Sequence, residues 1–448
     1  MLTKSFNLIL NKKIYSYKYT VKVDADKSIS IRSFLIGALS NGVSSVKNVL
    51  ESEDVLSTIK CLKKLGVKIE KIKPANYLIH GKGLGSFTIK KNAELDFGNS
   101  GTLARLLIGI LSTTPKIDVK IRGDHSLNKR NMKKIIELMS KFGATFLPKN
   151  KNYFPLRMYS SEMPIGINYK AGVSAQLKSA VMLAGLNSYG DTNIIENQKS
   201  RDHTENMLSN KSPVIKIKRN KTKLIKIHGK KNLYPLKINV PNDPSSAAFF
   251  TALTLLNKKS FLRINNVGLN PTRTGFFQLL KKQGANIKFT NLKTVNNEIR
   301  GNVEVKSCKL RPIIASKNYY VNSTDEYPIL FVIAALVKGV SIFRGIGDLE
   351  NKESNRIKEM QKILKQLGIK SVFSKDGLKI FGKGMIDASS KIISVPNLGD
   401  HRICMSSFIL ATLTGAKTRI KNFETVFTSS PSFLKIMKSL GAQFAIQK

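Results

Sequence analysis

Apolar positions along the chain alternate between two spacings. Stretches of helical period end in glycine, and short runs rich in Val, Ile and Phe follow directly. Five copies read CLKKLGVKIE, LMSKFGATFL, LLKKQGANIKF, ILKQLGIKSVF and IMKSLGAQFAI, with the glycine at 66, 143, 284, 368 and 441. Glycine in that place supplies the left-handed residue that closes a helix. The β-favouring residues after it predict a returning strand. A sixth, degenerate copy fits at ENMLSNKSPVIKIK, around Lys211. With it, the spacing is roughly 70–85 residues throughout. A second phrase, YLIHGKG, IKIHGKK or LKIFGKG, follows three of the copies and reads as a strand closed by a Gly turn.

The pattern therefore predicts six units of helices packed on a mixed sheet, three before about residue 240 and three after. At 237–250, KINVPNDPSSAAFF predicts a strand, a Pro-bounded crossover and a helix capped near Asp243 or Ser245. A first strand over about 6–22 precedes the first unit and is expected to return to the second domain. Several predicted helices, such as YPILFVIAAL, are apolar on every side and belong in a core.

Composition changes this picture little. The chain has 448 residues and is 42% hydrophobic, a globular content. No apolar run approaches the ~20 residues of a membrane span. The N-terminal stretch has no small-residue cleavage site, and the reading is a mature cytoplasmic protein. Cys61, Cys308 and Cys404 form no CxxC or Cys/His cluster, so neither a disulfide framework nor a metal site is indicated. The Gly81–Gly85 piece, GKGLG, lacks the helix and the acid of a dinucleotide loop, and no cofactor is expected.

Charge is the unusual feature. Lys and Arg number 75 against 29 Asp and Glu, a net +46. Nucleic acid is one reading. The cations are spread along the chain, however, and no known nucleic-acid signature stands out. A chain-wide bias is the preferred reading, with faster capture of small anions as its consequence.

Polar, anion-suited stretches recur where helices begin. DKSISIR (26–32) offers Lys27, Ser28 and Arg32 at one helix entry. It fits an ordinary capped helix and an anion site equally in kind, because any helix N-terminus favours negative charge. DFGNSGTLAR (96–105) is small and glycine-rich ahead of an apolar helix. In RGDHSLNKRNM, Arg122 and Arg130 bracket a loop before a helix over 131–141. GVSAQLKS brings Ser174, Gln176 and Lys178, and SRDHTE brings Ser200, Arg201, His203 and Glu205. His203 reads as a helix-entry residue, not a metal ligand. Later come Asp325 and Glu326 in STDEYP, then Lys352, Glu353 and Arg356 in NKESNR, then Asp400, His401 and Arg402 in GDHR. Carboxylates are scarce among these cations, which marks Asp325 and Glu353 for acid–base work.

Taken together, DKSISIR, GNSGTxxR, RGDxSLxxR, SAQLKS, SRDHTE, DExP, KESxR and GDHR resemble, in order and over essentially the whole chain, the EPSP synthases of the enolpyruvyl transferase family. The resemblance implies an α/β (α+β) fold of two similar domains, each of three βαβαββ-type units in an inside-out α/β barrel, joined by two crossovers. It places one domain at 24–239 and the other at 1–23 plus 240–448, with the active site between them. It implies enolpyruvyl transfer from phosphoenolpyruvate to the 5-hydroxyl of shikimate 3-phosphate by addition and elimination, without cofactor or metal. Lys27, Arg130, Arg356 and Arg402 would hold phosphoenolpyruvate, with Asn99, Gly101, Thr102 and Gln176 lining that side. Lys27, Ser28, Arg32, Ser174, Ala175, Gln176 and Arg201 would hold shikimate 3-phosphate. Asp325 would act as base and contact its hydroxyls, supported by Lys352, while Glu353 and Lys27 would move the proton at the enolpyruvyl carbon.

Three positions depart from the family's usual residues. Ile31 replaces a His, Asn131 follows Arg130 in place of Pro, and Thr428 stands where part of the family has a Lys. Gly101 stands where glyphosate-tolerant members carry Ala, so inhibition at low glyphosate is expected. Rival readings are transfer to UDP-N-acetylglucosamine, which in that family uses a loop Cys missing from 122–130, and a basic nucleic-acid-binding protein. A monomer without specific nucleic-acid or membrane partners is expected.

Overall fold

The computed structural model describes residues 5–209, 212–219 and 222–448. Its strands form six four-stranded sheets built to one plan. In one of them, Glu94–Asp96 runs parallel to Asp118–Arg122, and Leu156–Tyr159 and Thr145–Leu147 continue antiparallel. Parallel neighbours cannot be joined by a tight turn. The apolar helix Gly101–Thr113 makes the crossover, and Lys133–Ser140 leads into the closing hairpin. This is the βαβαββ unit.

Three sheets are completed by strands remote in sequence. Lys237–Asn239 lies parallel to Asn41–Lys47 and finishes the first sheet. Lys18–Val21 lies parallel to Phe261–Gly268. Asn7–Leu10 sits between Lys417–Ile420 and Ala445–Gln447, antiparallel to both. The single strand expected over 6–22 is thus two strands in two sheets. Between them Ile14 donates its N–H to the Thr412 carbonyl, and the buried Tyr17 hydroxyl meets Thr254 Oγ1 at 2.8 Å. Ile14 and Tyr17 stay buried through this stretch, but the pairing partner changes.

The chain divides into two compact units. One holds Ala25–Val240 with Val295–Glu298; the other holds the residues up to Asp24, Pro241–Thr294 and Ile299–Lys448. In the first, Gly101–Thr113 packs on both Lys27–Leu39 and Ala175–Leu186. A Cβ on Gly109 would lie 2.6 Å from the Ala180 carbonyl oxygen, so glycine permits that close approach. In the second, Pro244–Leu256, Tyr327–Leu336 and His401–Thr414 pack on one another and are buried on every side. Apolar helices fill each centre, and sheets with one wetter face surround them. Asn76–Lys82 and Leu156–Tyr159 show it by alternating buried and partly exposed residues. Burial of helices that are apolar all round is what their sequences require.

All five repeat glycines are left-handed, with φ of +82°, +93°, +93°, +71° and +97° at 66, 143, 284, 368 and 441. The sixth copy centres on residues 210 and 211, outside the described residues. The helix expected over 131–141 starts at Lys133, because Asn131 Oδ1 accepts the Lys133 N–H at 2.8 Å and forms its entry. A separate short helix, His125–Asn128, precedes it.

Candidate functional site

In the DKSISIR segment, Asp26 caps the helix by accepting the Ile29 N–H at 2.9 Å. Lys27 is its first residue, and Nζ lies 2.9 Å from Asp54 Oδ2. Arg32, one turn on, is buried. Its Nε donates to Thr204 Oγ1 at 2.9 Å, Nη1 to the Ser28 carbonyl at 3.1 Å and Nη2 to Ser179 Oγ at 3.2 Å. It ties this helix to Ala175–Leu186 and His203–Leu208. Ile31, the departure from the usual His, is fully buried in the core.

The glycine-rich segment carries the densest network. Ser100 caps Gly101–Thr113, accepting the Leu103 N–H at 3.2 Å. Asn99 bridges two charged partners: its amide donates to Asp124 at 2.8 Å, and its carbonyl accepts Arg130 Nη2 at 2.6 Å. Arg105 Nη1 donates to the Gly101 carbonyl and to Gln176 Oε1, both at 3.1 Å. Gln176 Nε2 in turn donates to Thr102 Oγ1 at 3.0 Å. A methyl built on Gly101 would lie 2.9 Å from Arg105 Nη1 and 3.0 Å from Arg130 Nη1. Asn99, Gly101, Thr102, Arg130 and Gln176 are therefore brought together. Arg105 and Asp124 complete the group. Both lie within the motifs read from the sequence, but only their distant partners reveal what they do.

Ser174 caps Ala175–Leu186 at the same helix end that carries Ala175 and Gln176. Lys178, two residues on, is fully buried between Glu196 and Glu205 and does not face outward. His203 bonds Glu298 Oε1 at 2.8 Å, matching the helix-entry reading. Arg201 stays partly exposed at the mouth of that helix.

In the other unit, Arg356 gathers three carboxylates. Asp400 Oδ2 lies 2.9 Å from Nε, Glu353 Oε2 lies 2.6 Å from Nη2, and Asp325 Oδ1 lies 3.7 Å from Nη1. Burial opposes the guanidinium charge, but Asp400, Glu353 and Asp325 outweigh it and hold its pKa above the ordinary value. Asp400 also caps the helix of Arg402, accepting the Arg402 N–H at 3.0 Å, and takes Ser354 Oγ at 3.0 Å. Asp325 and Glu353 thus share one cation. Glu326, next to Asp325, is buried and accepts Ser245 Oγ. Lys352 is paired to Asp348, which also accepts the Tyr320 hydroxyl at 2.7 Å. Nothing in the local sequence pointed to Asp348 or Tyr320. Arg402 Nε and Nη1 are buried without a hydrogen-bond partner among the described residues, as is Arg356 Nη1.

Thr428 is buried and gives its hydroxyl to the Thr425 carbonyl at 2.8 Å. Cys61 lies buried on helix Glu53–Lys64, and burial pushes its thiol up to about 12, far from a nucleophile's range. No group of three or more His, Cys, Asp or Glu residues is placed to hold a metal ion among the described residues. None of the described helices is long and apolar enough to cross a membrane.

Comparison with known proteins adds one consistent answer. Residues 12–437 match the family described as EPSP synthase (3-phosphoshikimate 1-carboxyvinyltransferase). A 3-phosphoshikimate 1-carboxyvinyltransferase of Zymomonas mobilis is 38% identical over 440 residues, 97% of this chain and 97% of that protein. One of a Thermoanaerobacter species is 38% identical over 96% of this chain and 99% of its own length. The solved EPSP synthase of Acinetobacter baumannii superposes with a TM-score of 0.84 at 34% identity, covering 99% of this chain and 100% of that one. The enolpyruvyl transferase NikO of Streptomyces tendae, at 13% identity and a TM-score of 0.75 over 99% of both chains, shares the fold.

Proposed function

The chain belongs to the EPSP synthase family, and from that premise we propose which of its residues carry the family's reaction. The enzyme transfers the enolpyruvyl group of phosphoenolpyruvate to the 5-hydroxyl of shikimate 3-phosphate and releases phosphate. In the addition step the 5-oxygen bonds to C2 of phosphoenolpyruvate as C3 gains a proton. In the elimination step C3 loses a proton and the C2–O bond to phosphate breaks.

Asp325 is the base that takes the 5-hydroxyl proton, and Glu353 with Lys27 delivers and removes the proton at C3. Two carboxylates on one arginine suit this work. Arg356 pairs with both and holds them beside one another. Arg402, Arg356, Arg130 and Lys27 bind phosphoenolpyruvate, with Asn99, Gly101, Thr102 and Gln176 shaping its side. Ser28, Ser174, Ala175, Gln176 and Arg201 take shikimate 3-phosphate, with Lys352 near Asp325. Arg32, whose donors reach Ser28, Thr204 and Ser179, supports that helix end from within.

The observation that carries the assignment is Arg402, whose buried Nε and Nη1 have no acceptor among the described residues. Such donors are costly unless a ligand oxygen meets them. Transfer to UDP-N-acetylglucosamine through a cysteine is disfavoured, because Cys61 is buried with its thiol pKa raised. The reading includes a monomer in the cytoplasm without a specific nucleic-acid partner, in keeping with cations dispersed over the whole chain.

Phosphate release from both substrates tests the proposal. Release should need shikimate 3-phosphate and phosphoenolpyruvate together, and fall by roughly 100-fold or more in Asp325→Ala and in Glu353→Ala. Full activity in either variant removes that residue from the acid–base pair.

A further inference from the structure

Two motif residues, Lys178 and Glu205, are absorbed by no step of the reaction, yet both are buried and charged. Lys178 Nζ lies 2.6 Å from Glu196 Oε1 and 2.7 Å from Glu205 Oε1. Lys223 closes the group, 3.3 Å from Glu196 Oε2 and 3.1 Å from Glu205 Oε1. Two cations face two carboxylates, so the charges balance. Burial disfavours the Glu196 carboxylate, but Lys178 and Ser200 hold it below the usual range. Isolated buried charges of this kind are expensive, and a paired set keeps a fixed geometry better than it adds stability.

The connections show what is fixed. Lys178 belongs to the helix whose first turn carries Ser174, Ala175 and Gln176. Glu196 ends the strand Asp191–Glu196 and accepts both the Ser200 N–H at 2.9 Å and the Ser200 hydroxyl at 2.7 Å. Arg201 follows at once. Glu205 lies in the next helix, His203–Leu208. One lysine thus ties down both ends of the loop that carries Ser200 and Arg201.

We propose that Lys178, acting through Glu196, is a positioning residue for shikimate 3-phosphate: it sets the distance between the Ser174–Gln176 helix end and the Ser200–Arg201 loop. This rests on the assignment of Ser174 and Arg201 to that substrate. Steady-state kinetics of Lys178→Met, the charge-balanced Lys178→Met/Glu205→Gln, Ser200→Ala and Arg201→Ala test it, with each substrate varied in turn. In the first two, KM for shikimate 3-phosphate should rise about tenfold or more, while KM for phosphoenolpyruvate and kcat stay within about threefold. Ser200→Ala should show the same selectivity at about threefold. It decides the matter should the charge variants not fold. Unchanged KM for shikimate 3-phosphate, or a parallel loss in all constants, overturns the inference. An effect of Arg201→Ala alone overturns it while leaving the substrate assignment standing. No effect of Arg201→Ala overturns the assignment of Arg201 and the inference with it.

Discussion

The guanidinium of Arg402 lies over the ring of Phe249, 5.9 Å from its centroid, with only 5% of the arginine exposed. The aromatic face holds the cation in place from one side, while Nε and Nη1 meet no acceptor among the described residues. Leaving buried donors unmet costs roughly 1–3 kcal/mol, against about 0.5–2 kcal/mol returned by a cation–π contact. Arg402→Met should therefore match or exceed the wild type in stability without ligand, by up to about 1 kcal/mol. Phosphoenolpyruvate should raise the melting temperature of the wild type and leave that of Arg402→Met unmoved. Thermal melts with and without the substrate read both effects. Equal stabilisation of the two proteins would separate Arg402 from the ligand.

Gly101 controls the space beside two other arginines. Its backbone is right-handed and it opens a helix, so alanine is tolerated there and folding should stay within about 1 kcal/mol of the wild type. The added methyl presses on the tips of Arg105 and Arg130, which can move, and not on backbone. KM for phosphoenolpyruvate should rise several-fold, and the glyphosate inhibition constant by about tenfold or more, the usual range for one methyl in a tight site. Inhibition assays with phosphoenolpyruvate varied at fixed glyphosate read both constants. If the inhibition constant of Gly101→Ala equals that of the wild type, the steric account fails.

Asp24 offers a test by pH. Its Oδ2 accepts the Ser430 hydroxyl at 2.8 Å, the Ser432 N–H at 3.1 Å and the Ser432 hydroxyl at 2.6 Å. Burial nevertheless raises its pKa, and Asp243 adds to the rise. The folded chain therefore keeps this proton to a higher pH than the unfolded chain does. Stability falls as pH rises from the unfolded value through the folded one, and the loss persists above both. In Asp24→Asn the amide oxygen keeps the three acceptor roles without the charge. Urea midpoints should favour Asp24→Asn at pH 7, and the difference should shrink as the pH is lowered. A difference independent of pH would place the effect elsewhere.

Local features were legible in the sequence. Gly66, Gly143, Gly284, Gly368 and Gly441 close helices because the left-handed residue is a property of one position. Asp243 accepts a backbone N–H at the helix start expected of it, and Asp26, Ser100, Ser174 and Asp400 do so within segments read as helix entries. Pairings across the chain were not legible. Arg105 stands in a motif, but its use depends on Gln176, and the burial of Lys178 depends on strands and helices that follow it. Residues 6–22 misled for the same reason. Phe6, Leu8 and Leu10 do alternate into the core, yet a strand's partner is set by topology and not by period.

The strand Asn7–Leu10 also fixes an order of events. Leu8 stands opposite Ile420 on one side and Ile446 on the other. Ribosomes make a chain from its N-terminus, so this segment emerges long before either of its neighbours. Until they emerge it has no native sheet to join, and its exposed edges are open to mispairing. A strand made early docks late, and its docking closes that sheet.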